Sequence, residues 1–349
     1  MVLGVPVYSS YGAKLLDAYT LLDEAGVKVL HANGVREILL DDWRVADVPV
    51  LPLFSPEVEG ETAIALRQLI VKSRRLSRIA DRYFEQVVTA INAMVRELAL
   101  ETIGETTVAG IVSHEDYTYV QPAKVAGLSL LMGKRLGYST PDLANLGLAA
   151  LLKDIGFISL PAELSDKAGF LTEDEFRSIR GHPAHGYELL SQHHACEDEV
   201  ATVVLQHHER WNGTGYLQGL IGNDITRFAQ IIAITDTYCA MLSERSQRKA
   251  FLPHKAMEYI ISYRGHQFNP KLVELFIRQV PLYPSGLAVK LNTGEVGIVS
   301  SPNLGGCVGR PVVRICYDEN LKAVEKPYDM DLSNGNHQDK AIAQVMGYD

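Results

Sequence analysis

Apolar residues recur with helical spacing through the middle of the chain. From residue 62 to residue 100 they follow one another at intervals of three and four, which predicts one long connecting helix over about residues 61–100. The apolar seam of this helix consists of Leu76, Ile79, Tyr83, Val87, Ile91, Met94 and Leu98. The seam could pack within its own domain, or it could join two copies of the chain in a homodimer through residues 76–98.

The two ends of the chain show the period of β-strands instead. Residues 1–60 predict a small α/β module with strands at 5–8, 14–16 and 35–40, a helix at 23–33 and a proline-rich linker at 48–56. Residues 286–332 predict a small β module whose strands lie at 287–291, 296–299 and 312–315, with a hairpin turn at 292–295. Residues 333–349 form a polar tail that we expect to be poorly ordered apart from a short helix. Residues 101–285 are helical, so the fold class is mainly α.

The composition is that of an ordinary soluble protein. The chain has 349 residues, 47% hydrophobic and 21% charged, with a net charge of −9 that disfavours binding to a nucleic acid polymer. No CxxC spacing links the four cysteines, which suits a reducing compartment. The amino terminus lacks the features of a signal peptide, and no apolar run approaches the roughly 20 residues of a membrane span. We therefore expect a cytoplasmic protein without a transmembrane segment.

Single acids stand at the ends of two apolar runs. Asp154 follows the run 148–152, and Asp236 follows the run 231–235. Each could be a helix cap or a buried hydrogen-bonding group, because a buried carboxylate needs a partner. Together with His182 and the adjacent pair His207 and His208, they form a candidate ligand set that suits iron, manganese or zinc. We expect the remaining histidines of this region to be surface residues, namely His193, His194, His254 and His266.

The histidine pair opens a loop with two glycines and an aromatic residue. If both rings were on one helix they would point about 100° apart, and they would serve two neighbouring metals, or one metal and one phosphate. The loop supplies further candidate ligand-binding residues, because its glycines let the backbone approach a ligand closely. They are Asn212, Gly213, Gly215 and Tyr216.

The order of these elements resembles the HD-GYP family, bacterial phosphodiesterases that hydrolyse cyclic di-GMP. The resemblance runs from about residue 107 to residue 281. It rests on the HHERWNGTGY loop and on five further segments, His114-Glu115-Asp116-Tyr117-Thr118, Leu152-Lys153-Asp154-Ile155-Gly156, Leu171-Thr172-Glu173-Asp174-Glu175, His182-Pro183-Ala184-His185-Gly186 and Asp236-Thr237-Tyr238 with Ser243-Glu244-Arg245. It implies a helical bundle of the HD superfamily and a cluster of two or three metals.

The chain departs from the family pattern at four positions. Lys153 replaces the histidine of the His-Asp pair, Phe157 replaces a lysine, Gln121 replaces a later histidine, and Leu217 replaces the last proline. The resemblance implies that Asp154, His182 and His207 still hold one iron or manganese ion, so we expect at most one metal per chain, or none. Lys153 is either neutral, or its ammonium takes the place of a metal and pairs with Asp154 or Asp236.

Two classes of function follow. The missing ligands favour a degenerate relative that binds cyclic di-GMP, or a partner such as a diguanylate cyclase domain, with weak or no hydrolysis. The alternative is an active metal-dependent phosphodiesterase. A nucleotide phosphohydrolase is a third class, against which the intact glycine loop argues. We expect the ligand between this loop and the helix from Asp236 to Arg245, with Lys153 and Arg245 supplying positive charge.

Overall fold

Along the chain, a helical body follows a small amino-terminal unit and precedes a carboxy-terminal sheet, and Asp47 of the first unit pairs with Arg314 of the sheet. The computed structural model describes residues 1–9, 11–35, 38, 40–48, 52–100, 117–161, 164, 172–243, 250–303 and 309–346. No helix within these residues has the length and apolar composition of a membrane-spanning segment. The helices are α1 (Glu24–Ala32), α2 (Pro56–Leu76), α3 (Asp81–Leu100), α4 (Tyr117–Arg135), α5 (Thr140–Leu152), α6 (Glu173–Ile179), α7 (His182–Ser191), α8 (Asp198–Gln206), α9 (Arg227–Leu242), α10 (Pro253–Ser262) and α11 (Pro270–Gln279).

The body is centred on α5. Its first turn is fixed by a capping box, in which the Ser139 hydroxyl accepts from the backbone N–H of Asp142 and the Asp142 carboxylate accepts from that of Ser139. Residues 146–152 are all buried, as expected for a helix that is apolar on every side. Because α5 packs against α4, α3 and α8, its last residues enter the interior of the body. The mainly α fold class is confirmed.

The predicted long helix is two helices. It begins at Pro56, where the Ser55 hydroxyl caps the first turn, and it breaks at Ser77, whose φ of 53° is left-handed. The hydroxyl of Ser73 accepts from the backbone N–H of Ala80 across the break. The prediction was wrong because neither proline nor glycine marks this turn, and its stability comes from contacts that the periodicity does not show.

The apolar seam faces the protein's own core. Val87, Ile91, Met94 and Leu98 are each at most 1% exposed and pack against the other helices of the same chain. A side chain that is buried in one chain cannot also be the contact surface of a dimer. These four residues therefore pack within their own domain, whereas Leu76 at the start of the seam is exposed, and the homodimer stays a prediction.

The amino-terminal unit agrees with its prediction where the structure describes it. Strands β1 (Val7–Tyr8) and β2 (Lys14–Leu16) form an antiparallel hairpin, and α1 begins after Asp23, whose carboxylate accepts from the N–H of Gly26. Half of the predicted strand at 35–40 lies outside the described residues, although Leu40 forms a bridge with Leu3. A small core joins Leu3 to the apolar side of α1.

The carboxy-terminal module is a five-stranded antiparallel sheet in the order β6-β5-β4-β3-β7. Its strands are β3 (Ala288–Leu291), β4 (Val296–Ser301), β5 (Val312–Tyr317), β6 (Ala323–Asp331) and β7 (Ile342–Val345). The predicted strands and hairpin turn are present. The expectation of a poorly ordered tail was wrong, because β7 pairs with β3 and the Arg310 guanidinium donates to the carbonyls of His337 and Lys340.

Candidate metal centre

The end of α5 and the start of α7 meet at a glycine. Lys153 caps the carboxy-terminal end of α5, and Asp154 directly precedes a short 3-10 turn, Ile155–Ser159. A Cβ added to Gly156 would lie 1.9 Å from the carbonyl oxygen of His182, so only glycine allows this turn to contact α7 directly. The contact brings the carboxylate of Asp154 beside the ring of His182.

Two buried histidines face Asp154 in the same orientation. The Nδ1 of His182 lies 2.7 Å from the carbonyl oxygen of Ile179, and the Nδ1 of His207 lies 2.7 Å from that of Val204. Because a carbonyl oxygen only accepts, the proton of each neutral ring belongs on Nδ1, which leaves the lone pair on Nε2. The two Nε2 atoms are 3.3 Å apart, and they lie 3.2 Å and 3.7 Å from Oδ1 of Asp154.

His208 joins the same cluster. The prediction of separate ligands for the two adjacent rings was wrong, because His207 and His208, just after the end of α8, belong to one cluster. The centroid of the His208 ring lies 4.1 Å from that of His207 and 5.1 Å from that of His182. One potential ligand atom each from Asp154, His182, His207 and His208 lies within 4.8 Å of all the others.

This geometry fits a single transition-metal ion. Ligand atoms about 2.1 Å from a metal are separated by about 3.0 Å at octahedral angles and about 3.4 Å at tetrahedral angles. The separations between Asp154, His182 and His207, from 3.2 to 3.7 Å, are close to this range. Three acceptor atoms that face one another without a proton repel, so a cation among them is stabilising.

Asp236, by contrast, contacts other side chains. The Nζ of Lys153 lies 3.0 Å from Oδ1 of Asp236 and also contacts the carboxylate of Asp154. The side-chain amide of Gln121, on α4, donates to the same Asp236 oxygen at 2.8 Å. The side chain of Lys153 is only 3% exposed, so this pairing occurs in the interior. The expectation that Lys153 would pair with one of these acids is confirmed, and it pairs with both.

The protonation states suit metal binding. Burial alone would raise the pKa of Asp154, but the charge of Lys153 and the contacts with His182 and His207 outweigh it and hold that pKa well below its usual range. Burial lowers the pKa of His207, and burial together with the neighbouring ring lowers that of His208 further. The two rings are therefore neutral near pH 7, as metal ligation requires.

Glu209 holds the glycine loop, a role that the sequence reasoning missed. Its buried carboxylate accepts from the backbone N–H groups of Gln218, Gly219 and Leu220 at 2.6, 3.2 and 3.1 Å. A Cβ on Gly215 would lie 2.5 Å from the Cα of Glu209, so the loop folds back closely on this residue.

Among the other glycine-loop candidates, Tyr216 contacts a ring of the four-residue cluster. Gly213 has a φ of 79°, and the side-chain oxygen of Asn212 accepts from the hydroxyl of Thr214 at 2.7 Å. The ring of Tyr216 stacks on His208, with centroids 4.7 Å apart. The guanidinium carbon of Arg180 lies 4.3 Å from the centroid of the Tyr216 ring. Arg180, which the sequence reasoning also missed, thus places a charge beside the four-residue cluster.

Several sequence-predicted positions differ from expectation or lie outside the described residues. Phe157 stacks on the ring of His182 at 4.3 Å, so it covers one side of a candidate ligand. His193 was expected at the surface, but it is buried, with its Nε2 3.1 Å from a carboxylate oxygen of Asp81. Arg245 and residues 114–116 are outside the described residues, and α9 is described to Leu242.

Comparison with known proteins identifies the family. A model described as "HD domain" matches residues 105–272. A cyclic di-GMP phosphodiesterase of Pseudomonas aeruginosa is 27% identical over 95% of this chain and 84% of its own length. The cyclic di-GMP phosphodiesterase response regulator of Xanthomonas campestris pv. campestris is 34% identical over 72% of this chain and 66% of its own length.

More distant similarities agree with these. A cyclic di-GMP phosphodiesterase of Thermotoga maritima is 32% identical, and the match covers 46% of this chain and 44% of that protein. Among solved structures, an HDG"Y"P protein from Bdellovibrio bacteriovorus has the same fold, with a TM-score of 0.53 and 16% identity over 76% of this chain and 89% of that one. The chain belongs to the HD-GYP family of HD-domain proteins.

Proposed function

We propose that the protein is a cyclic di-GMP signalling protein that binds the dinucleotide at the metal centre with weak or no hydrolysis. The observation that supports this proposal most directly is the position of the Lys153 ammonium between Asp154 and Asp236. A family cluster of two or three metals would use both carboxylates as ligands. Here a fixed cation neutralises them, and a second metal beside it would be repelled.

At most one metal is expected per chain, either iron or manganese. Asp154, His182, His207 and His208 would hold it, since their ligand atoms converge and the rings of His207 and His208 are neutral. When bound, such an ion acts as a Lewis acid toward a phosphoryl oxygen. The protein's own contribution is to orient these ligands through backbone carbonyls and to keep the proton off each Nε2.

Hydrolysis should be weak because the part of the site that would hold a second metal against the phosphodiester is altered. In two-metal sites, both ions stabilise the attacking and leaving oxygens of the displacement. An ammonium can attract a phosphate, but it cannot offer coordination positions. Gln121 adds an amide where the family has a histidine, and it is engaged with Asp236. The site therefore keeps charge complementarity to a phosphate while it loses part of the catalytic cluster.

Residues beside the metal ligands would recognise the phosphates and bases of the dinucleotide. Cyclic di-GMP carries two phosphates and two planar guanines, so its site needs fixed cations and flat surfaces. Arg180, Tyr216 and His208 form a continuous stack beside the four-residue cluster. An arginine supplies both a permanent charge for phosphate and a plane for a base. Arg245 and the loop residues Asn212, Gly213 and Gly215 remain predicted contacts.

The alternative is an active metal-dependent phosphodiesterase in the cytoplasm. The relatives from Pseudomonas, Xanthomonas and Thermotoga are named as cyclic di-GMP phosphodiesterases, which supports this substrate for either function. The intact four-residue cluster favours some residual metal chemistry. A diguanylate cyclase domain that docks on the glycine loop is a further proposed partner, because this loop borders the site.

Calorimetry with cyclic di-GMP tests the proposal. We expect the unmodified protein to bind it, and Arg180→Gln to bind it tenfold to a hundredfold more weakly, because a charge-assisted contact contributes about 1.5–3 kcal/mol. Arg177→Gln is the matched control, since Arg177 is exposed on α6 and pairs with Asp174. No binding by the unmodified protein, with or without manganese or iron, would overturn the proposal and leave a protein partner as the better function.

A further inference from the structure

A cavity lies between the amino-terminal hairpin and α2, in a part of the sequence that is well separated from the metal ligands. Its volume is about 480 Å³, within the range of small-molecule sites. One wall is the turn between β1 and β2, and the other is a face of α2. The lining residues are Tyr11, Ile64, Arg67, Gln68, Val71 and Lys72.

Close backbone packing fixes the two walls. A Cβ on Gly60 would lie 2.2–2.4 Å from the backbone of Tyr11 and Gly12. Gly12 has a φ of 76°, and a Cβ there would lie 2.6 Å from the carbonyl oxygen of Pro56. Two glycines thus allow the hairpin turn to rest directly on the first turns of α2. The ring of Tyr11 is held against the helix, and the cavity is part of the fold.

The lining combines two cations with apolar and aromatic surface. The guanidinium of Arg67 lies over the ring of Tyr11 at 5.8 Å, and the ammonium of Lys72 lies over the ring of Tyr83 at 5.9 Å. Ile64 and Val71 are each 37% exposed, so they offer apolar contact area. The six lining residues include no carboxylate, although the chain as a whole has a net charge of −9.

We propose that this cavity binds a small aromatic anion of the size and chemistry of a nucleoside monophosphate. Arg67 and Lys72 would pair with the anionic group. The plane of the Arg67 guanidinium, together with Tyr11 and the aliphatic side chains, would contact the aromatic ring. The amide of Gln68 adds hydrogen-bonding capacity at the same wall. The site is separate from the metal centre, and none of its residues belongs to the HD-domain match at 105–272.

The position of the cavity suits an effector. It lies on α2, and the guanidinium of Arg74 in the last turn of α2 donates to the carbonyl oxygen of Phe157 at 3.3 Å. Phe157 in turn stacks on His182. A ligand in the cavity would therefore contact the same helix that contacts the turn carrying Asp154.

Calorimetry with adenosine 5′-monophosphate tests the site. We expect binding by the unmodified protein and at least tenfold weaker binding by Arg67→Gln and by Lys72→Gln. Arg75→Gln is the matched control, because Arg75 is an exposed cation of the same helix that does not line the cavity. His182→Ala should bind as tightly as the unmodified protein, because the metal centre is not involved.

Two further probes separate the parts of the proposal. Adenosine lacks the anion, and inorganic phosphate lacks the ring, so each should bind at least tenfold more weakly than adenosine 5′-monophosphate. Equal affinity for adenosine would overturn the anionic part, and equal affinity for phosphate would overturn the aromatic part. Absence of binding by the unmodified protein, or binding that is lost in His182→Ala but kept in Arg67→Gln, would overturn the site itself.

Discussion

The ammonium of Lys153 lies 3.0 Å from the carboxylate of Asp236 while it also contacts Asp154. Asp154 comes just after the apolar helix α5 and Asp236 lies within the apolar helix α9, and the family pattern uses both as metal ligands. The lysine side chain is buried, so solvent does not screen its charge well. One lysine therefore pairs with two carboxylates, and we propose that it takes the place of a second metal.

Removing this cation should destabilise the metal-free protein. Lys153→Met leaves two carboxylates facing each other, and we expect a loss of about 1–3 kcal/mol in the free energy of unfolding, because both acids keep some contact with solvent. Urea unfolding in the presence of a chelator measures it. Lys255→Met, which removes an exposed ion pair with Glu258, should cost less than about 1 kcal/mol. Equal effects of the two variants would contradict the buried pairing.

Metal binding should depend on the four-residue cluster. His182→Ala removes an Nε2 that faces both Asp154 and His207, so we expect the manganese or iron content to fall to near zero. Elemental analysis of protein purified without chelator measures it. His185→Ala is the matched control, because this ring is on the same helix but is not part of the cluster. A metal content unchanged by His182→Ala would show that the ion binds elsewhere.

The glycine loop should depend on Glu209. Glu209→Ala removes the acceptor of three backbone N–H groups, so we expect about 2 kcal/mol lower stability and at least tenfold weaker binding of cyclic di-GMP, with the metal content retained. Thermal unfolding, calorimetry and elemental analysis measure the three quantities. Glu188→Ala, at an exposed position, should leave all three unchanged. Tight binding by Glu209→Ala would mean that the loop does not form the ligand site.

Much of the fold could be predicted from the sequence because its signals are local. Apolar runs that end on a lone acid located Asp154 and Asp236, and alternation with turn residues located the strands β3, β4 and β5. The break at Ser77 depends on a side-chain contact across the turn, and the strand β7 depends on contacts with distant residues. The hydroxyl of Ser73 stabilises the break, and the guanidinium of Arg310 anchors the tail, and neither contact has a signature in the local pattern.

The sequence predicted which residues belong to the candidate site better than it predicted which of them lie together. Motif order pointed to Asp154, His182, His207 and His208, which the structure brings together. It could not show that α8 ends before the histidine pair, so that both rings face one centre, or that Asp236 is engaged by Lys153 and Gln121 instead. Glu209 and Arg180 were missed because their roles arise from loop folding and from a ring contact between the end of α6 and the glycine loop.

Restoring the missing ligands should restore metal binding. The double variant Lys153→His with Gln121→His removes the buried cation and adds two imidazoles next to Asp236, so we expect its metal content to rise by about one ion per chain. Hydrolysis of cyclic di-GMP, followed by chromatography of the products, should rise with it. Lys153→Gln is the control, since it removes the charge without adding a ligand. A double variant with the metal content of this control would contradict the account.

The most direct test is the metal content of the unmodified protein, measured on the same manganese- or iron-loaded sample as its turnover of cyclic di-GMP. With Lys153 between Asp154 and Asp236, we predict at most about one ion per chain and turnover far below the ~10 per second of a typical enzyme. Two or three ions per chain, with turnover near that value, would contradict the central claim that the lysine has replaced a catalytic metal.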